Sequence, residues 1–218
     1  MDNFQVAIDG PAGSGKSTIS KKVCDLLGFV HIDTGAMYRA VTLEALNRGI
    51  DLENPDEYEF LLDTNIIYEN DKIYLNGKSV GREIRSSRVA ANVSTVAKMA
   101  VVRTAMVKLQ QKAAEHGKVV MDGRDIGYVV LPNADVKIFL TASVEERARR
   151  RYRENQLAGR EEKFEDILEN IKSRDFKDSN RELNPLRQAH DAILLDTTNM
   201  NIDEVVLEIV RIINERLK

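Results

Sequence analysis

The chain has 218 residues, 43% of them hydrophobic and 31% charged, with a net charge of −3 at pH 7 and a pI near 5.8. That length suits one α/β domain with a small insertion and a real core, and the acidic balance argues against a broad basic face for nucleic acid, so any anion it binds is expected to be small. The opening MDNFQVAID lacks a signal peptide's charged and long apolar regions, no apolar run reaches bilayer length, and the lone Cys24 and three scattered histidines offer neither a disulfide nor metal-ligand spacing. The expectation is a protein of the reducing cytoplasm with no membrane contact.

Phe4, Val6 and Ile8 alternate as a strand does and lead into GPAGSGKST: Gly10, Pro11, Ala12, Gly13, Ser14, Gly15, Lys16, Ser17 and Thr18. Ile19, Val23, Leu26 and Leu27 then recur at helical spacing, so strand, glycine loop and helix stand in the order a phosphate-binding loop needs. Glycines let backbone N–H groups turn inward around phosphate oxygens, at a helix N-terminus whose dipole favours negative charge. Lys16 is expected to reach the β and γ phosphates and Ser17 to ligate Mg²⁺, with Thr18 beside it in the first turn. Cys24 sits among apolar residues and reads as core.

Phe29 to Asp33 is expected as a second strand, followed by a helix from Thr34 with Ala40, Leu43 and Leu46 facing inward and Gly49 at its end. NIIYENDKIYLNGKSV reads as a small antiparallel insertion, its first turn from Glu69 to Lys72 and its second at Asn76-Gly77. Helices are expected over roughly Glu83 to Lys98 and Val101 to His116, and a parallel-type strand over Lys118 to Met121. That strand continues into MDGRDIG, where Asp122, Arg124 and Asp125 follow an apolar run. Val136 to Ala142 is a further strand, and Ser143 to Glu146 is a capping box opening a helix with six arginines from Arg147 to Arg160, either a solvated face or a mobile lid. A helix over about Lys163 to Asp178, a fifth strand from Ala192 to Asp196, and a last helix capped by Asn201 complete the chain. Ile202, Val205, Val206, Ile209, Ile212 and Ile213 form that helix's expected buried stripe. The alternation predicts an α/β fold with a parallel sheet covered on both faces.

A phosphate loop alone does not choose a reaction. The guanine-reading N/T-K-x-D segment of GTPases does not occur late in the chain, and neither an internal repeat nor a long DNA-tracking basic segment points to a motor or helicase.

HIDTGAMYR, MDGRDIG and SRDFKDSNRELNPLR, together with GPAGSGKST, resemble the bacterial cytidylate kinases of the nucleoside monophosphate kinase group over essentially the whole chain. The resemblance implies a P-loop kinase fold: a five-stranded parallel sheet flanked by helices, an NMP-binding insertion and a helical lid. It implies one domain over 1–218, with the core at 1–50, 101–145 and 180–218, the insertion at about 51–100 and the lid at about 146–165. It further implies transfer of the γ-phosphoryl group of ATP to CMP or dCMP, giving ADP and CDP or dCDP. Carried over, Thr34, Tyr38 and Arg39 line the acceptor site, and Ser94, Arg103 and Asp125 read cytosine. Arg124 and Arg181 hold the acceptor phosphate, and Arg174 and Asp178 face the ribose. The family often has serine where this chain has Thr34, and the hydroxyl is retained.

Chemistry agrees with these assignments. Cytosine presents a donor at C4 and acceptors at N3 and O2, so a carboxylate with cationic or hydroxyl donors complements it, whereas uracil sets acceptor against acceptor and leaves buried polar groups unpaired. Phosphoryl transfer between ionised phosphates needs no general base, so Lys16, Arg39, Arg124 and Arg181 with Mg²⁺ are the expected catalytic set, joined by lid arginines for which Arg149 and Arg153 are candidates. Asp33 or Asp122 is expected to position the metal through water. The partners implied are ATP and CMP or dCMP, with no nucleic acid and no membrane, acting on a monomer. The residues also admit two other readings. One is a P-loop kinase with another small acceptor. The other is a slowly hydrolysing switch module whose arginine helix is a partner surface.

Overall fold

The computed structural model describes residues 3–69 and 72–217. Strands β1 (Asn3–Asp9), β2 (Val30–Asp33), β6 (Gly117–Gly123), β7 (Val136–Thr141) and β8 (Ile193–Asp196) pair in parallel in the order β2-β6-β1-β7-β8. The middle strand is covered on both faces, so Val6, Ala7 and Ile8 are all buried and the alternation seen from Phe4 to Ile8 marks only half of what the strand hides. The register levels the carboxyl ends: Asp9 lies opposite Gly123 and Phe139, and Asp33 opposite Asp122. The loops leaving β1, β2 and β6 therefore share one edge of the sheet, where open parallel sheets bind ligands.

One face is closed by α1 (Lys16–Leu27) and α7 (Ile202–Leu217), whose Ile19, Val23, Val205, Ile209 and Ile213 cluster with Phe4, Ile8 and Ile138. Leu26 and Ile202, read as inward-facing, are exposed. Leu26 lies in the last turn of its helix and Ile202 opens the first, where the apolar stripe has already left the sheet. On the other face Ala7, Ile32, Val119 and Met121 pack with Ile126 and Val130 of a single π-type turn (Ile126–Val130) that follows β6.

A second core surrounds α2 (Thr34–Arg48). It joins Met37, Val41 and Ala45 to Ile66, Ile73 and Leu75 of the antiparallel strands β3 (Ile66–Glu69) and β4 (Lys72–Leu75), and to α3 (Ser87–Lys98) and α4 (Ala100–Ala113). Strand β5 (Lys78–Ser79) completes this sheet. Its turn from β4 holds Asn76 and Gly77 at φ 50° and 78°, the left-handed pair a tight hairpin demands, while Asn70 and Asp71 of the first turn lie outside the described residues. The inward face of α2 is Ala40, Val41 and Ala45, with Leu43 and Leu46 only half-buried. The helix expected from Glu83 starts at Ser87 instead, because Ser86 adopts an extended backbone and caps it through the Val89 amide. Finally α5 (Val144–Leu157) and α6 (Phe164–Asn180) form a hairpin around the small cluster Ala148, Ile167 and Ile171. Ser143 accepts the Glu146 amide at 3.2 Å, as the capping box predicts.

Candidate active site

The glycine loop is shaped by close contacts. Gly10 has φ 154°, and a Cβ there would stand 2.0 Å from the Leu140 carbonyl oxygen on β7. Gly15 is left-handed at φ 85° and puts no side-chain cap on α1, so the first amides of that helix face the loop. Lys16 is buried beneath, donating to the Pro11 carbonyl at 2.8 Å and to Ser14 Oγ at 3.1 Å. Burial first, and then the neighbouring Arg124 charge, hold the Lys16 ammonium well below its ordinary pKa. A buried cation in this state gains from an arriving anion.

Ser17 and Thr18 are the first exposed residues of α1, and Ser17 donates its hydroxyl to Asp122 Oδ2 at 2.8 Å. Asp122 Oδ1 lies 2.7 Å from His31 Nε2. Asp33, by contrast, caps α2 through the Ala36 amide at 2.9 Å and pairs with Arg39 at 3.1 Å. Of the two candidate carboxylates, Asp122 is the one in contact with Ser17. Among the described residues no group of three or more His, Cys, Asp or Glu side chains could hold a metal ion. A hydroxyl and one carboxylate are the sparse, hard-oxygen set that fits Mg²⁺ carried by phosphates, a cation that keeps several waters.

Along the same sheet edge stands the cluster that MDGRDIG begins. Asp125 is buried and paired with buried Arg103, while Arg181 Nη2 lies 3.3 Å from its other oxygen. The Arg103 guanidinium sits 5.5 Å from the centroid of the buried Tyr38 ring, and burial pushes the Tyr38 hydroxyl up to about 12. Arg124 does not pair locally with Asp122 or Asp125; its Nε donates to Asp178 on α6 at 2.9 Å. Burial opposes the Arg124 charge, but Asp178 more than offsets this, raising the arginine and lowering the carboxyl. Asp178 is buried on α6, which ends at Asn180, and Arg181 lies beyond the helix in extended conformation.

Buried Nε atoms of Arg39, Arg103 and Arg174 have no hydrogen-bond partner among the described residues. Burial, then the charge of Arg124, brings Arg174 down to about 10, and burial with Arg103 lowers Arg181. Guanidinium groups crowded together with orphaned donors are chemically suited to an anion, which would relieve both the unpaired donors and the mutual repulsion. Thr34 reaches the Asp122 carbonyl at 2.7 Å and so joins the two halves of the site. Ser94 is half-buried on α3 and makes no side-chain hydrogen bond among the described residues. Arg149 is exposed beside Glu146 at 3.6 Å, and Arg153 is exposed.

Four functional-looking residues escaped the reading of the sequence. Arg147 is buried and donates to the Ala12 carbonyl at 2.8 Å and to Asp175 at 2.6 Å, while Asp175 accepts the Ala12 amide at 3.1 Å. Roots of both hairpin helices thus grip the glycine loop. Asp9 and His31 are the others, and Asp9 carried a usable signal: like Asp122, it is a carboxylate at the carboxyl end of an apolar strand run.

A family model described as Cytidylate kinase matches residues 6–215. A cytidylate kinase from Limosilactobacillus reuteri is 53% identical, with 97% of this chain and 96% of the relative covered. One from Acholeplasma laidlawii is 51% identical, with 98% and 96% covered. A shikimate kinase from Acinetobacter baumannii in complex with shikimate aligns over 98% of this chain and 94% of that one at a TM-score of 0.51 and 15% identity, a likeness of fold alone. The glycine loop, the paired arginine and aspartate cluster and the matches over nearly the full chain lead to one assignment: the chain is a kinase that belongs to the cytidylate kinase family.

Proposed function

We propose that the chain transfers the γ-phosphoryl group of ATP to CMP or dCMP, giving ADP and CDP or dCDP. The observation that carries this reading is the buried Arg103–Asp125–Arg181 cluster on the same sheet edge as the phosphate loop. Asp125 accepts the cytosine amino group, Arg103 and Ser94 donate toward its acceptors, and Arg174 and Asp178 face the ribose. Arg124, Arg39 and Arg181 hold the acceptor phosphate. The unpaired Nε atoms of Arg39 and Arg174 support an anionic ligand here.

Phosphoryl transfer asks the protein for alignment and charge neutralisation, and both reacting oxygens belong to groups ionised at neutral pH. Lys16 leaves its carbonyl and hydroxyl partners to meet the donor phosphates, and the α1 amides hold them. Ser17 and Asp122 would hold Mg²⁺, which when bound neutralises phosphate charge. The segment of about 146–165 acts as a lid that excludes water, with Arg149 and Arg153 closing on phosphates, and residues of about 51–100 act as the acceptor-binding insertion. The net charge of −3 supports small substrates rather than nucleic acid, and the chain is taken to act as a cytoplasmic monomer. No helix among the described residues is long and apolar enough to cross a membrane.

Phosphorus NMR of protein, MgATP and CMP tests the assignment. New β-phosphorus signals of both ADP and CDP, growing in equal amounts, are expected; free inorganic phosphate in place of CDP would refute it.

A further inference from the structure

Asp9 ends β1 one position before Gly10 and is buried. Its carboxylate accepts two backbone amides of a different segment: Oδ1 takes that of Ile126 at 2.8 Å and Oδ2 that of Gly127 at 2.8 Å. These amides directly follow Arg124 and Asp125, where the chain leaves β6 and enters the π-type turn. Asp125 has φ −143° and ψ 23°, outside the regular helical and strand regions. The turn behind it is closed by Val129 N to Asp125 O at 3.0 Å and Leu131 N to Ile126 O at 2.7 Å. The side chain of Asp9 therefore spans from the strand that bears the phosphate loop to the backbone that aims Asp125.

A buried carboxylate is an expensive way to tie down a loop. Loss of hydration, with the like charge of Asp125 adding and Lys16 and the two amides opposing, leaves Asp9 pushed up to about 6. An apolar or amide side chain would fill the space at lower electrostatic cost, but it could not accept both amides. The double acceptor matters because a reading group displaced by about 0.5 Å loses its selectivity.

We propose that Asp9 is a positioning residue for acceptor discrimination: by clamping the Ile126 and Gly127 amides it fixes the backbone from which Asp125 meets Arg103, Arg181 and the base. This rests on Asp125 being the base-reading carboxylate. It makes the end of β1 serve both substrates, the phosphate loop directly and the acceptor base through Asp125.

The test is the ratio of kcat/KM for CMP to that for UMP at saturating MgATP, with KM for ATP measured alongside, in wild type, Asp9→Asn, Gly127→Ala and Asp125→Asn. Asp9→Asn is expected to lower the ratio by about tenfold or more while KM for ATP moves less than about threefold, the pattern of lost polar discrimination. A merely structural defect would lower both acceptors by one factor and leave the ratio in place. Gly127→Ala keeps the carboxylate but adds a Cβ 3.3 Å from Asp9 Oδ2, so it still tests the clamp if Asp9→Asn does not fold. Its expected loss of preference is about threefold. An unchanged ratio in the clamp variants that fold, beside a collapsed one in Asp125→Asn, would overturn the inference and spare the base reading. An unchanged ratio in Asp125→Asn would remove the base reading and the inference with it.

Discussion

Asp9 also separates stability from function at the level of one side chain. Its pKa rises from 3.8 to about 6 in the fold, mainly through desolvation, so the folded protein binds the proton more tightly than the unfolded chain. The stability this confers is fully present below the unfolded value and is lost as pH rises through about 6. A shift of this size is worth on the order of 3 kcal/mol. Relative to Asp9→Asn, the wild type is expected to lose unfolding free energy between about pH 4 and 6 and to run parallel to the variant above pH 7, which paired urea titrations would read. Curves that stay parallel throughout would contradict it. Asp125 matters through its charge partner: truncating it to Ala strands the buried Arg103 guanidinium, and a stability loss of about 3–5 kcal/mol is expected by urea titration. An Asp125→Ala protein as stable as wild type would show that Arg103 finds another partner.

The loop and helix elements were the most legible part of the sequence, because caps and glycines act over a few residues. Ser143 and Asn201 do open α5 and α7, the latter accepting the Glu204 amide at 3.0 Å, and Gly49 ends α2 at φ 70°. What depends on distant partners was not legible. Arg181 shares helical spacing with Arg174 and Asp178, yet the helix stops at Asn180 and the arginine turns back to Asp125. Six arginines after Ser143 are alike in sequence, and only the tertiary contact with Ala12 and Asp175 singles out Arg147. Arg147→Ala removes a buried partner from both, so a loss of about 2–4 kcal/mol in stability is expected. ATP affinity should fall with it, by isothermal titration, because the glycine loop is held through Ala12. A variant that loses stability but binds ATP as wild type does would detach this contact from the donor site.

The whole molecule combines three substantial apolar clusters, two on the faces of the sheet and one around α2, with one slight one. The two faces of the sheet and the α2 region each bury their own set of apolar residues, whereas the α5–α6 hairpin rests on Ala148, Ile167 and Ile171 and an edge-on Tyr152–Phe164 contact at 6.2 Å. The hairpin's root is fixed: Arg150 donates to the Thr197 carbonyl at 2.6 Å, three residues beyond the Arg147 anchor. Opening is therefore expected beyond residue 150, with amides of 151–163 exchanging faster than those of β1 and β6 and slowing when ATP and CMP are both bound. Equal protection of hairpin and sheet would rule out a lid. The parallel sheet was visible in the sequence as strand-helix alternation, while MDGRDIG marked Asp125 but not its pairing with Arg103 and Arg181. The clamp and the grip on Ala12 arise from contacts across more than a hundred residues, which no local pattern encodes.

The central claim is that Asp125, held by Arg103 and Arg181, selects a cytosine monophosphate for a phosphate-loop kinase. The direct measurement is ADP release with MgATP and, separately, CMP, dCMP, UMP, AMP or no acceptor, for wild type and Asp125→Ala. Strong stimulation by CMP and dCMP over UMP and AMP is predicted, with the preference or the activity lost in the variant. Release that no monophosphate stimulates, or a preference the variant retains, would contradict it.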